Sequence, residues 1–129
     1  MRLGKELASD RVFRNFINGE SVDSADGQMM DLINPTTGEV FAQAANSSSE
    51  DVDRAFAAAS SAFETWKDST PSERSLALLK LADAIEANAD ELVALESENT
   101  GKPLALTASE EIPPMVDQLR FFAGAARNL

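Results

Sequence analysis

The sequence predicts a mostly α-helical chain that begins with a short antiparallel β-meander, and three observations support this fold class. Apolar residues recur at helical spacing in three segments after residue 46. Residues 13–45 instead contain short extended runs between turn signals. Two of these signals, Asn18-Gly19 and Asp26-Gly27, readily adopt the positive φ angles that tight hairpins require.

The meander is expected to contain three or four short strands. Asn18-Gly19 separates the run that ends at Ile17 from residues 20–22, which can return as a strand. A longer turn then separates the extended runs 29–33 and 39–45. A sheet this small is marginally stable unless a helix or a larger body covers its apolar face.

The longest helical period starts at Thr70. Thr70 and Glu73 match the capping box T-x-x-E, and Pro71 suits the first helical position, where an N–H has no partner in the helix. A weaker cap pattern predicts a bend or restart at Asn88, and Gly101 is expected to end the helix in the left-handed conformation. The apolar residues of this segment share one face, which must be buried: Leu78, Leu81, Ala82, Ile85, Leu92 and Leu95.

Two further helices flank this one. The first follows the serines and acids of residues 47–51 and ends near Trp66, whose indole is expected to fill a seam between this helix and the next. The last helix opens at Pro113-Pro114, because tandem prolines suit a first turn but not a helix interior. Apolar faces are predicted on the first helix at Val52, Ala55, Phe56, Ala59 and Phe63, and on the last at Met115, Val116, Leu119, Phe122, Ala123 and Ala126.

The composition excludes several classes of function. The 22 acidic residues exceed the 11 basic ones and leave a net charge of −11, so neither nucleic acid nor an anionic membrane is an expected partner. The chain has no cysteine and no histidine, which rules out thiol and imidazole catalysis and the usual zinc sites within it. Its six glycines are too scattered for a glycine-rich nucleotide loop. No signal peptide or membrane-spanning run is apparent, and we expect a cytoplasmic protein.

The order of several short motifs resembles the N-terminal segment of the aldehyde dehydrogenase family. FINGE is followed by INPTTGEV, then by ENTGKPL, and finally by FFAGAARNL. The resemblance runs from Phe16 to Leu129 and is closest to the branch that acts on aminoaldehydes, such as aminobutyraldehyde, and on betaine aldehyde. It implies an α/β fold in which residues 13–129 form an incomplete first part of the coenzyme-binding domain. The polar, unpatterned residues 1–12 are expected to form a flexible arm.

Enzymes that this chain resembles oxidise an aldehyde to a carboxylate and pass hydride to NAD or NADP. The resemblance implies that the catalytic cysteine and glutamate lie outside this chain, so we expect it to be inactive and to bind no cofactor by itself. It also implies that the helix faces pack on the remainder of the aldehyde dehydrogenase fold, in a homodimer or homotetramer. The sequence stops at Leu129 without a terminating glycine or polar tail, and we expect a longer parent chain.

The resemblance alone implies a site for a monovalent cation, K+ or Na+. The backbone carbonyls of Leu32 and Ile33, together with Asn99, match positions that hold such an ion in several members of the family. Asn99 stands where some relatives have aspartate, which removes a negative ligand. The alternative is that Ile33 simply ends a strand and Asn99 lies at a helix end.

A second implied site is the mouth of the substrate tunnel, at Glu110, Glu111, Pro114 and Asp117. In the aminoaldehyde relatives, acids near these positions attract the cationic end of the substrate. Pro114 departs from the acid that some of those relatives carry. The alternative for Glu110 and Glu111 is a favourable interaction with the dipole of the last helix.

A different hypothesis is a stand-alone acidic helical module that binds another polypeptide. Three amphipathic faces in so short a chain bury each other only partly and leave an apolar patch for a partner. A monomeric preparation of residues 1–129 that melts cooperatively would argue against the need for any partner.

Overall fold

The structure is a computed structural model that describes residues 11–128. These residues form two compact units that divide between Lys67 and Asp68. The arm predicted for the start of the chain lies outside the described residues as far as residue 10. No described helix is both long enough and apolar enough to cross a membrane.

The first unit contains all the described strands and one helix. The strands are β1 (Val12–Phe13), β2 (Asn15–Ile17), β3 (Glu20–Val22), β4 (Met29–Ile33) and β5 (Val40–Ala45). β2 and β3 form an antiparallel hairpin, while β1, β5 and β4 form a separate sheet in that order.

The predicted hairpin is confirmed. Asn18 and Gly19 have φ angles of 55° and 82°, as a tight turn of this kind requires. Ile17 faces Glu20 directly across the turn, so the register follows from the two-residue connection.

The sequence did not predict β1, which runs parallel to β5, whereas the pairs β2–β3 and β4–β5 are antiparallel as expected. Val12 pairs with Gln43, and the Gln43 N–H donates to the Arg11 carbonyl at 2.9 Å. Residues 11 and 12, which were expected to belong to a flexible arm, therefore extend the sheet. β5 would otherwise leave one row of backbone groups unpaired, and an extended segment from elsewhere in the chain satisfies them. Such pairing has no local sequence signal.

Helix α1 (Ser49–Trp66) completes the first unit and starts at the predicted caps. Asp51 Oδ2 accepts hydrogen bonds from the Ser48 N–H at 2.9 Å and from the Ser48 hydroxyl at 3.0 Å. Asp51 is also the only buried residue of the helix. The apolar face predicted on α1 stays exposed, with exposed fractions of 48% for Val52, 69% for Phe56 and 58% for Phe63.

The second unit is helical throughout. Its elements in order are α2 (Pro71–Ala87), α3 (Ala89–Thr100), the single turn α4 (Leu104–Leu106), a π-helical turn (Thr107–Glu111), α5 (Ile112–Ala125) and a 3₁₀ turn (Ala126–Asn128). The predicted packing of Trp66 between the first helix and the next involves both units and stays a prediction.

The predicted signals of the longest helical segment are confirmed. Thr70 Oγ1 accepts from the Glu73 N–H at 3.2 Å, and the Glu73 carboxylate accepts from the Thr70 N–H at 2.7 Å. Asn88 separates α2 from α3, as the second cap pattern predicted. Gly101 ends α3 with a φ of 77°, in the left-handed conformation.

The core of the second unit lies between α2, α3 and α5. It consists of Ala82, Val93, Ile112 and Val116, with Ile85, Ala89 and Leu119 packed against it. The predicted faces are therefore only partly buried: Leu81 and Leu92 are 49% and 37% exposed, and Phe122 on α5 is 57% exposed. More apolar residues recur at helical spacing than the neighbouring helices of this unit can cover, so some of them stay exposed.

Candidate functional site

The π-helical turn at Thr107–Glu111 lies where the tunnel-mouth acids were predicted. Pro113 and Pro114 have no N–H, so the carbonyls of Ser109 and Glu110 receive no bond from the residue four positions later. Just before the prolines, the Ile112 N–H donates to the Thr107 carbonyl, five residues back. The turn is thus one residue wider than an α-helical turn, and such turns often occur at functional sites.

Lys102 binds the last residue of this turn, Glu111. Its Nζ donates to Glu111 Oε1 at 2.7 Å and to Glu96 Oε1 at 2.9 Å. The left-handed Gly101 reverses the chain after α3 and so brings Lys102 between the two acids. Hydrogen bonds to Glu111 and then to Glu96 raise the pKa of Lys102 above its usual value.

The two adjacent acids have different surroundings. Glu111 is partly buried and its charge is compensated by Lys102. Glu110 is exposed, and its Oε1 accepts only a hydroxyl hydrogen bond, from Ser109 at 3.2 Å. Pro114 and Asp117 are also exposed. Within residues 11–128, neither Glu110 nor Asp117 has an ion-pair partner, so both carry uncompensated charge.

Arg120, one turn after Asp117, is engaged with α2. Its Nη2 lies 2.6 Å from Glu86 Oε2 and 3.0 Å from Asp83 Oδ1. Hydrogen bonds to Glu86 and Asp83 raise the pKa of its guanidinium. Arg120 therefore connects α5 to α2 at the surface, and its charge is compensated by Asp83 and Glu86.

The structure does not bring the three residues of the predicted cation site into one unit. Leu32 and Ile33 lie in β4, where the pairing with β5 is irregular between these two residues. Asn99 is exposed in the last turn of α3, in the second unit. The cation site stays a prediction. Among the described residues, no group of three or more acidic side chains is arranged to hold a metal ion.

Among the described residues, the starts of α1, α2 and α5 do not fit the pyrophosphate of a dinucleotide. A helix N-terminus binds phosphate through free backbone N–H groups. The carboxylates of Asp51 and Glu73 already accept hydrogen bonds at the starts of α1 and α2. α5 opens with two prolines, which provide no N–H. We therefore derive no step of NAD chemistry from these residues.

The first unit contains a shallow groove that sequence reasoning missed. Phe16 and Ile17 of the hairpin line it on one side, and Ala55 and Ala59 of α1 line it on the other. The alanine spacing on α1 was the available signal, because small side chains let a neighbouring element approach closely. The groove has an apolar lining and no catalytic group among these residues.

Comparison with known proteins decides the family. The sequence pattern of the aldehyde dehydrogenase family matches residues 21–129. The chain belongs to the aldehyde dehydrogenase family. An aldehyde dehydrogenase of Deinococcus radiodurans is 39% identical over 124 residues, which are 96% of this chain and 24% of that protein. A long-chain-aldehyde dehydrogenase of an Acinetobacter species is 40% identical over 124 residues, which are 96% of this chain and 25% of that protein.

A solved structure of the family shares the fold of this aldehyde dehydrogenase segment. It is the NAD+ complex of the Bacillus cereus enzyme, which is 38% identical and has a TM-score of 0.85 over 89% of this chain and 24% of that one. The chain thus spans about a quarter of the length of the relatives it matches. Its recognition as an N-terminal segment of the family is confirmed, as is the fold class. The names of these relatives do not single out the aminoaldehyde branch.

Proposed function

We propose that this chain is the N-terminal segment of an NAD(P)-dependent aldehyde dehydrogenase and that it is catalytically incomplete by itself. The observation that carries the proposal is the match to the family over residues 21–129 by a chain that covers 24% of a relative's length. In this proposal the remainder of the enzyme supplies the nucleophilic cysteine, the glutamate base and the cofactor site. The segment supplies a scaffold and the charged side chains near the substrate.

The exposed aromatic side chains support a missing protein partner. Phe56 and Phe63 on α1 are 69% and 58% exposed, and Phe121 and Phe122 on α5 are 69% and 57% exposed. Burying one such side chain fully contributes roughly 1.5–3 kcal/mol, so a chain gains much by covering several of them. The rest of the aldehyde dehydrogenase fold is the occupant that the family match suggests.

The uncompensated acids support a substrate with a positive charge. Glu110 and Asp117 carry negative charge at the start of α5 without an ion-pair partner in the described part of the chain. Exposed like-signed charges attract an oppositely charged ligand over about 10 Å at moderate ionic strength. We therefore propose an aminoaldehyde or betaine aldehyde as the substrate class. The Acinetobacter relative bears the name of a long-chain-aldehyde dehydrogenase, so an uncharged aldehyde is the comparison substrate.

The cofactor and the cation are part of the same proposal. The Bacillus cereus relative is described as an NAD+ complex, which supports NAD rather than NADP as the first cofactor to test. We propose K+ or Na+ at Leu32, Ile33 and Asn99 only within the complete enzyme. The complete enzyme is expected to be cytoplasmic and to form a homodimer or homotetramer, which cell fractionation and light scattering would measure.

Reconstitution in two pieces tests the proposal. Residues 1–129 are produced together with the Deinococcus radiodurans enzyme from which the matching quarter has been removed. We expect aldehyde-dependent reduction of NAD+ by the two pieces together and none by either piece alone. Turnover by purified residues 1–129 would refute catalytic incompleteness. A monomeric, cooperatively melting chain that never associates with the larger piece would refute the role as an enzyme segment and would argue against the need for any partner.

A further inference from the structure

The charges around the π-helical turn are divided unequally. Lys102 is shared by Glu96 and Glu111, whereas among residues 11–128 Glu110 accepts a hydrogen bond only from the uncharged Ser109 hydroxyl. All three members of the Lys102 cluster lie in the second unit, and their side chains are 36% to 38% exposed. The cluster is thus partly shielded from water, which strengthens each contact relative to a fully exposed pair.

We propose that Lys102 is a positioning residue that holds the π-helical turn in place and determines which of the two adjacent acids keeps a free charge. Its ammonium joins the end of α3, through Glu96, to the last residue of the turn, Glu111. The consequence for substrate attraction rests on the proposed function, whereas the positioning of the turn does not.

The geometry explains why the single Lys102 ammonium can both hold the π-helical turn and compensate the charge of Glu111. Pro103 restricts the backbone of Lys102, because the helical region is disfavoured for a residue that precedes proline, and Gly101 ends α3 directly before it with a φ of 77°. Two charge-assisted hydrogen bonds from one Nζ then restrain the side chains of Glu96 and Glu111 together. The Ile112 N–H that closes the widened turn directly follows Glu111, so release of Glu111 loosens that bond first.

Hydrogen exchange tests the positioning role without any aldehyde chemistry. In Lys102→Met, which removes the charged ammonium and keeps most of the unbranched side chain, we expect the amides of residues 107–112 to exchange several-fold faster than in the parent chain. Lys102→Arg keeps the charge and should restore slow exchange. Amides around Ala82 in α2 provide the internal reference. Unchanged exchange at residues 107–112 in Lys102→Met would overturn the proposal.

A matched pair of acid variants covers the case in which Lys102→Met does not fold. Glu111→Gln and Glu110→Gln remove the same formal charge at adjacent positions. Only Glu111→Gln removes the charge from a partner of Lys102 and weakens that contact, so it should accelerate exchange at Ile112, while Glu110→Gln should not. Equal exchange in the two variants would refute the role of Lys102.

The reconstituted enzyme tests the second part of the inference. We expect Glu110→Gln to raise KM for betaine aldehyde about two- to fivefold, with a smaller change in kcat, and to leave KM for an uncharged aldehyde of similar size nearly unchanged. Glu111→Gln should have the smaller effect on KM for betaine aldehyde, because its charge is already compensated. Equal effects of the two variants would overturn the division of charge. If the reconstituted enzyme oxidises no aldehyde, the proposed function fails while the exchange result still decides the role of Lys102.

Discussion

The Asp51 carboxylate accepts a hydrogen bond from the backbone N–H of Ala25, 26 residues away, at 2.9 Å. The same carboxylate caps α1 through Ser48. One buried acid thereby connects the turn between β3 and β4 to the start of the helix. The sequence predicted that the first helix follows the serines and acids of residues 47–51, and Ser48 and Asp51 form its capping box. The bond between Asp51 and Ala25 follows only from the tertiary structure.

Replacing Asp51 should destabilise the first unit more than replacing an acid two residues away. Asp51→Asn keeps a side chain of the same shape but removes the negative charge that accepts from Ser48 and Ala25. Asp53→Asn makes the same chemical change at an exposed position of the same turn. Urea unfolding followed by far-ultraviolet circular dichroism measures both. An equal loss of stability in the two variants would contradict a specific role for Asp51.

The stability of the chain should fall in acid through Asp51 and Glu73. The Ser48 N–H, the Ala25 N–H and the Ser48 hydroxyl lower the pKa of Asp51 from 3.8, against the opposing effect of desolvation. The Thr70 N–H and hydroxyl lower the pKa of Glu73 from 4.5. Because both folded-state pKa values are lower than the unfolded ones, this stabilisation is present above the unfolded values. It is lost as the pH falls through the folded values.

The measurement is the free energy of unfolding as a function of pH. The parent chain should lose stability as the pH drops below about 4.5, the ordinary value for Glu73. Asp51→Asn should be less stable at neutral pH and show a shallower acid decline. A parallel decline in the two chains would show that Asp51 does not contribute.

The capping box of α2 should contribute measurably to the free energy of unfolding. Thr70→Ala removes the acceptor for the Glu73 N–H and the hydroxyl donor to its carboxylate, and we expect a loss of about 1 kcal/mol in unfolding free energy. Thr70→Ser retains the hydroxyl and should retain most of that stability. Ser72→Ala, at an exposed position of the same helical turn, is the control. Thermal and urea unfolding report the three values.

Two glycine-to-alanine substitutions should change the stability of the chain in opposite directions. Gly101→Ala places a Cβ at a φ of 77° and should cost about 1 kcal/mol, since side chains are disfavoured in the left-handed conformation. Gly124 lies within α5, and apart from the adjoining backbone of its own helix and its two chain neighbours, no atom lies within 4 Å of an added Cβ. Gly124→Ala should therefore stabilise the chain by up to about 1 kcal/mol, because alanine favours the helix. Urea midpoints that shift in the same direction would contradict this account.

Local signals account for the features that the sequence predicted well. The capping box at Thr70, the break at Asn88 and the left-handed Gly101 each depend on residues within one or two helical turns. The hairpin at Asn18-Gly19 is equally local. The family could also be identified from the sequence, because the characteristic short motifs occur in order even though the chain covers only a quarter of the length of its relatives.

Contacts between distant residues account for what was missed. The parallel pairing of β1 with β5 joins Val12 to Gln43, and no turn or periodicity connects them. The π-helical turn precedes the two prolines at a place where the sequence only indicated a helix start, and its closing bond runs from the Ile112 N–H to the Thr107 carbonyl. Burial was overestimated on α1, where a strong helical period leaves its aromatic residues exposed within the described chain.

The sequence by itself determined the helix ends, the first hairpin and the membership of the aldehyde dehydrogenase family, because caps, turns and motif order depend on neighbouring residues. Only the tertiary structure decided that Glu111 is paired while Glu110 is not, and that Asp51 reaches Ala25. Those relationships depend on where the folded chain brings distant polar atoms within hydrogen-bond distance. The periodicity of apolar residues in the sequence does not predict such distances.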